Sequence, residues 1–305
     1  MHEWVAPIGA AIVSAVVARV VAAIAMRRSP PSLVRVNVNG RPVPAVLGFA
    51  VVLGGAAAVA FFALWEAVLW TKSDCGAMGI CSLILSAPWH LAWVALVPTI
   101  GLFIAGLWDD LRGDERPRGF SGHLGALRGG ALTGGVVKLA GGAVVGIATV
   151  LALNGWAFPI WEKATVFLLM AASIALCANL VNLFDRAPGR AIKVFLSLTL
   201  ITLIVVPEWR FIVAGSLGAA LGVMGLDLHA RGMLGDSGAN PLGAVAGLGL
   251  ALIAVTRELP GGSAPSLWVL VAVLLGLNLL SEKVSFSKVI EGTPWLARLD
   301  HLGRD

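Results

Sequence analysis

The chain has 305 residues, of which 58% are hydrophobic and 13% charged, and its formal net charge is +5. Apolar runs of about 18 residues or more recur along it, each long enough to cross a bilayer, and this excludes a soluble globule. No Lys/Arg-rich run or aromatic-spaced basic face exists, so nucleic-acid binding is not expected.

The first apolar segment, 4–26, lacks a positive n-region, and its arginines, Arg27 and Arg28, follow it. It reads as a retained helix and not as a cleaved signal peptide. Eight more segments follow, at 43–69, 88–107, 131–153, 163–183, 191–206, 210–226, 239–256 and 266–281. The expected fold is all-α, a polytopic integral membrane protein of about nine transmembrane helices. Residues 1–281 form the membrane domain and 282–305 a cytosolic amphipathic tail. Most lysines and arginines, among them Arg35, Arg41, Arg112, Arg186, Arg190 and Arg231, fall after the odd-numbered spans or in the tail. The opposite loops hold only Lys72, Lys163, Arg210 and Arg257. The positive-inside rule then puts the N-terminus outside and the C-terminus in the cytosol.

On the external side, Cys75 and Cys81 share one loop. An oxidising compartment would let them pair, whereas a metal site would need two further ligands that the loop lacks. In span four, Gly142 and Gly146 form a small-xxx-small pair suited to close helix packing. Lys138 lies about two turns into that span. It either snorkels to the interface or faces a polar cavity, and we favour the cavity.

The cytosolic side carries the polar motifs. Span three ends in Asp109-Asp110, two adjacent carboxylates that point about 100° apart on a helix. They either stop the helix at water, or one holds a cation while the other faces a second group. Span five ends with Asn179, Asn182 and Asp185 at i, i+3, i+6, along one helix side. The amides serve helix–helix hydrogen bonding or line a path for a polar ligand. Before span eight comes Gly235-Asp236-Ser237-Gly238, in which the glycines permit a tight turn and Ser237 is an N-cap candidate. The N-terminus of that span would favour phosphate, and Asp236 would sit there sensibly with a divalent cation between the charges. An oxygen-only set of Asp109, Asp110 and Asp236 suits Mg²⁺ or Mn²⁺. His123, His229 and His301 are too scattered to suggest zinc.

This ordered set resembles the membrane-embedded polyprenyl-phosphate N-acetylhexosamine-1-phosphate transferases, which include the lipid I synthase of peptidoglycan. The similarity covers roughly residues 1–281 and includes the segment Asn39-Gly40-Arg41-Pro42 and Lys138. It implies transfer of a sugar-1-phosphate from a UDP-sugar to polyprenyl phosphate, with release of UMP, in a bacterial plasma membrane. Asp109, Asp110 and Asp236 would be catalytic, with Asp110 and Asp236 as the metal ligands. Asn39, Lys138, Asn179, Asn182, Asp185, Arg186 and Ser237 would bind substrate. The implied partners are the UDP-sugar, polyprenyl phosphate and the lipid bilayer, with a homodimer left open.

The chain departs from the family pattern in three places. Arg186 stands where a Gly is usual, Asp227 where an Asn is common, and neither a His-rich loop nor a tenth span follows. A catalytically inactive scaffold or regulator of envelope synthesis is therefore the alternative. In the tail, Trp295, Leu299 and Leu302 form an i, i+4, i+7 stripe suited to a membrane surface or a partner.

Overall fold

The computed structural model describes residues 4–37, 40–70, 89–112, 134–154, 164–206, 209–256 and 265–304. The long helices follow the apolar runs: α1 (Val5–Arg27), α2 (Leu47–Trp70), α3 (Trp89–Arg112), α4 (Gly134–Asn154) and α5 (Ala164–Phe184). Then come α6 (Arg190–Val205), α7 (Arg210–Leu228), α8 (Asp236–Thr256) and α9 (Pro265–Lys283). Two short helices, α10 (Phe286–Gly292) and α11 (Pro294–His301), complete the chain. Among the described residues seven helices are long and apolar enough to cross a membrane, namely α1, α2, α3, α5, α7, α8 and α9. The architecture is that of a helical membrane protein. An antiparallel hairpin of β1 (Val34–Val36) and β2 (Pro42–Pro44) is the addition that apolar periodicity does not announce.

Side-chain size sorts the helix faces. On α1 the small residues Ala10, Ser14, Ala18 and Ala22 are buried, while Ile8, Ile12, Val16, Val20 and Ile24 are exposed. Spacing of four puts each set on one face. In lipid, small residues let backbones approach and large apolar ones meet acyl chains. Ser14 Oγ donates to the Gly215 carbonyl at 2.6 Å, tying α1 to α7.

The core is organised around α8, which is buried over most of its length and packs against α5, α3, α6 and α2. Contact with α5 is backbone-close. A Cβ at Gly243 would lie 2.6 Å from the Cys177 carbonyl oxygen, and one at Gly247 would lie 2.8 Å from that of Ser173. The expected role of Gly142 and Gly146 holds as well: Cβ atoms there would lie 3.4 Å from Ala175 Cβ and 2.6 Å from the Ala171 oxygen.

Candidate functional site

One end of the bundle gathers the hairpin, the C-terminal ends of α3, α5 and α7, and the N-terminal end of α8. Hydrogen bonds hold the strand-to-helix connection there. Leu47 N–H donates to the Met233 carbonyl at 3.1 Å, and Met233 N–H to that of Pro44 at 2.8 Å. Among the described residues, the connections after α1, α5 and α7, which the charge pattern placed on one side, therefore meet.

At the centre is the start of α8. Asp109 and Asp110 lie in the last turn of α3, which continues beyond the apolar run to Arg112. The Asp110 carboxylate accepts both N-terminal amides of α8, Asp236 N–H to Oδ1 at 3.1 Å and Ser237 N–H to Oδ2 at 3.0 Å. These two amides have no partner within the helix, and the positive end of α8 favours a negative charge. Glycines make the approach feasible. A Cβ at Gly106 would lie 2.6 Å from Ser237 N, and one at Gly48 would lie 2.6 Å from the Ser237 carbonyl. Gly235, at φ +62°, turns the chain into α8, where a Cβ would come 2.9 Å from Asp110 Oδ2.

This geometry corrects one expectation. Ser237 is not the N-cap: α8 starts at Asp236, and the Ser237 hydroxyl points back to the Leu234 carbonyl at 3.5 Å. The carboxylate at this helix terminus is Asp110, delivered by another helix to the end that favours negative charge. Asn240 Nδ2 donates to the Asp236 carbonyl at 2.8 Å and fixes the first turn.

Asp185 follows α5 directly, and its carboxyl faces the same cluster. Burial pushes it well above the ordinary carboxylate range, and the charges of Asp227, Asp236 and Asp110 push it further; a hydrogen bond from Gly235 N–H opposes them. Asp227 is buried and accepts Gly189 N–H at 2.9 Å, so it pins the turn after α5. A small recess is lined by Asn37, Asp185, Arg186, Pro188, Asp227 and Met233 among others.

The raised Asp185 carboxyl has a consequence for stability. Between its unfolded and folded pKa values the folded state keeps a proton that the unfolded state has released, so stability falls as pH rises through that window. Asp185→Asn keeps an acceptor for Gly235 N–H and removes the charge. We expect it to flatten that decline and to raise the melting point near neutral pH. Thermal melts of the protein in nanodiscs across roughly pH 4 to 8 measure this. Parallel pH profiles for the two proteins would refute it.

The other candidate residues divide. Asn179 Nδ2 donates to Asn278 Oδ1 on α9 at 2.6 Å, a helix–helix tie away from the aspartates. Asn182 and Asp109 are half-buried, and Arg186 is exposed at the rim of the recess. Asn39 and the cysteine pair Cys75 and Cys81 lie outside the described residues, as does His123. The backbone of Lys138 lies in α4, and its side chain is outside the described set.

Two site residues escaped the sequence reading. Arg35 donates through Nη2 to the main-chain carbonyl of Asp110. Asn37 lines the recess and accepts Arg41 N–H at its own Oδ1, 2.9 Å away. The available signal was alternation: Arg35 and Asn37 are spaced by two, which an extended strand projects to one face.

Among the described residues no group of three or more His, Cys, Asp or Glu is set to hold a metal ion. The donor chemistry is nevertheless that of a hard cation, since Asp110, Asp185 and Asp236 offer only oxygen. Mg²⁺ keeps most of its waters and needs one or two carboxylates plus substrate phosphates. The cluster fits that mode and not a closed protein cage.

Fold and site together define a polytopic helical membrane protein with an aspartate-rich polar end. No protein-family model and no curated protein matches the chain.

Proposed function

We propose that the chain is a membrane sugar-phosphate transferase, which moves a sugar-1-phosphate from a UDP-sugar to polyprenyl phosphate at the cytosolic face of a bacterial plasma membrane and releases UMP. The observation that carries this is the convergence of Asp110, Asp185 and Asp236 with Arg35 and Arg186 at one end of the bundle. Carboxylates from three separate helix ends share one site there, at a membrane boundary where charge is costly without a purpose. All nine long helices would cross, with the N-terminus outside and the polar end in the cytosol. A reporter fused after Arg304 is then expected in the cytosol and one inserted at 74–79 outside; finding both on one side would sink this orientation.

In the transfer, an oxygen of the acceptor phosphate attacks the β-phosphorus of the UDP-sugar, the bridge to the α-phosphate breaks, and UMP leaves with that bridging oxygen. Asp236 would hold Mg²⁺, with Asp110 contributing a remaining lone pair or restraining Asp236 through the first turn of α8. When bound, the ion supplies charge neutralisation for the pyrophosphate. Asp109 takes the acceptor's proton or orients it for in-line attack. Arg35 and Arg186 stabilise charge on the phosphates, which is the larger part of phosphoryl-transfer catalysis. Asn182 and Asp185 face the nucleotide.

One observation favours the inactive scaffold instead: Asp110 spends both oxygens capping α8. The test is incubation of the purified protein, polyprenyl phosphate and Mg²⁺ with a panel of UDP-sugars, reading UMP. Arg186→Gly separates the cases further. If Arg186 contacts the donor, this variant should change UDP-sugar preference by tenfold or more, about the worth of one charged hydrogen bond. If Arg186 obstructs a dead site, the variant should create nucleotide binding that the native chain lacks. No UMP from any donor would leave the scaffold.

A further inference from the structure

The tail presents an uncovered apolar edge. Trp295, Leu299 and Leu302 are 62%, 57% and 69% exposed. Arg298 is also exposed, and its spacing sets it among them on the same face. The reverse face is engaged: Leu296 and Ala297 are half-buried and Asp300 is buried.

Two attachments fix the height of this edge. Phe286 of α10 stacks on Phe184, the last residue of α5, with centroids 5.3 Å apart and planes at 17°. Asp300 of α11 receives Arg190, the first residue of α6, through Nε at 2.9 Å and Nη2 at 2.7 Å. Arg304 closes the latch from the other side at 2.7 Å and 3.0 Å, and Lys193 donates to the Leu299 and Asp300 carbonyls at 3.0 Å and 2.6 Å. Burial alone would raise the Asp300 carboxyl, but hydrogen bonds from Arg190 and Arg304 and their charges hold it below the ordinary range.

Both anchors are helix ends, and α5 is among the helices apolar enough to span a bilayer. The tail is therefore held at the level where hydrocarbon gives way to headgroups. We propose that α11 is a membrane-surface helix: Trp295, Leu299 and Leu302 enter the interfacial zone of the bilayer that α5 crosses, Arg298 reaches lipid phosphate, and Asp300 is the latch. Tryptophan is enriched at that depth, and an arginine among apolar residues can extend its head to water while its stem stays apolar. The preceding helix supports a lipid occupant over a protein. On α9, Trp268, Val269, Val273, Leu275, Leu279 and Leu280 remain exposed, so a surface of lipid-facing character leads by one short turn into the tail. A patch of three apolar residues is also far smaller than the roughly 800 Å² per partner of a stable protein interface. The proposal rests on α5 and α9 spanning a bilayer and not on the transferase reading.

The test uses full-length protein with Cys75 and Cys81 replaced by Ser, the buried Cys177 replaced by Ala, and one cysteine placed at 295, 299 or 302, with Glu291→Cys as the exposed control. Each is labelled with an environment-sensitive fluorophore and reconstituted in phosphatidylcholine vesicles with or without phosphatidylglycerol. A nitroxide carried near the lipid headgroup should quench the three stripe positions several-fold more than position 291, and aqueous iodide should do the reverse. Arg298→Gln should remove any gain from phosphatidylglycerol. Stripe positions that follow iodide as position 291 does would overturn the proposal. So would protection that vanishes on dilution to one chain per vesicle, because the occupant would then be a second copy. Asp300→Asn should weaken lipid quenching at 299 at least twofold, and Arg304→Gln, which spares the Arg190 pair, serves if Asp300→Asn does not fold. Unchanged quenching in a folded latch variant would refute the role of Asp300.

Discussion

Asp236→Asn should lower UMP release at least about a hundredfold, equivalent to about 2.7 kcal/mol of lost transition-state stabilisation, and leave the fold intact. Two backbone contacts support the structural half: the Asp236 N–H goes to Asp110 and its carbonyl accepts Asn240 Nδ2. Both survive the substitution. The negative charge removed from the start of α8 is worth about 0.3–1 kcal/mol to a helix. An isosteric amide keeps the shape and loses the ability to neutralise a cation. Melting points within a few degrees of the native protein, together with the collapse in rate, are the expected pair. A variant as active as the native chain would remove Asp236 from the chemistry. A native chain that releases no UMP and binds no UDP-sugar would remove the chemistry itself.

Gly106→Val is expected to have the largest structural effect. A side chain here would enter the backbone of Asp236 and Ser237, since even a Cβ would lie 2.6 Å from Ser237 N. Backbone cannot rotate away as a flexible side chain can, so α3 must move off α8. Overpacking of this kind costs about 1–3 kcal/mol. The displacement also pulls Asp110, one turn further along, away from the amides it caps, adding about 1–2 kcal/mol. Gly276→Val is the control, because a Cβ at Gly276 meets nothing within 4 Å and the small gain in helix propensity from Gly to Val is the same. Thermal melts in nanodiscs should show a deep drop for Gly106→Val and little change for Gly276→Val. Equal drops would mean that the close approach of α3 to α8 is unimportant.

The membrane helices were legible because the bilayer imposes a length and a composition that no tertiary context revokes. Each apolar segment found a helix, and seven of these helices are long and apolar enough to cross a membrane among the described residues. Ends were less certain where polar residues continue the helix: α3 runs to Arg112 although its apolar character stops at Leu107, and α8 begins at Asp236 and not at 239. The aspartates were legible as a set, but their duties were not. Asp110 and the amides it caps are more than 120 residues apart in sequence. Nothing local distinguishes a carboxylate awaiting a metal from one awaiting a helix. Asn179 shows the same limit, because its partner Asn278 lies 99 residues away and decides between the two roles its spacing allowed. The latch on Asp300 was invisible for the converse reason. An acid in a tail of mixed charge looks solvated until Arg190 and Arg304 are seen around it.

The long reach of the Asp110 cap also bears on biosynthesis. The acceptor for the first amides of α8 is made well before α8 itself, on a helix that has already left the ribosome. Insertion of α8 can thus be guided by a receptor site prepared in advance, with Gly48 and Gly106 shaping the slot and a carboxylate waiting at its mouth. A chain truncated before α8 would carry that carboxylate without its amides, at a boundary where an unsatisfied charge is costly. The late arrival of α8 therefore closes the Asp110 cap and fills the centre of the hydrophobic core in a single step.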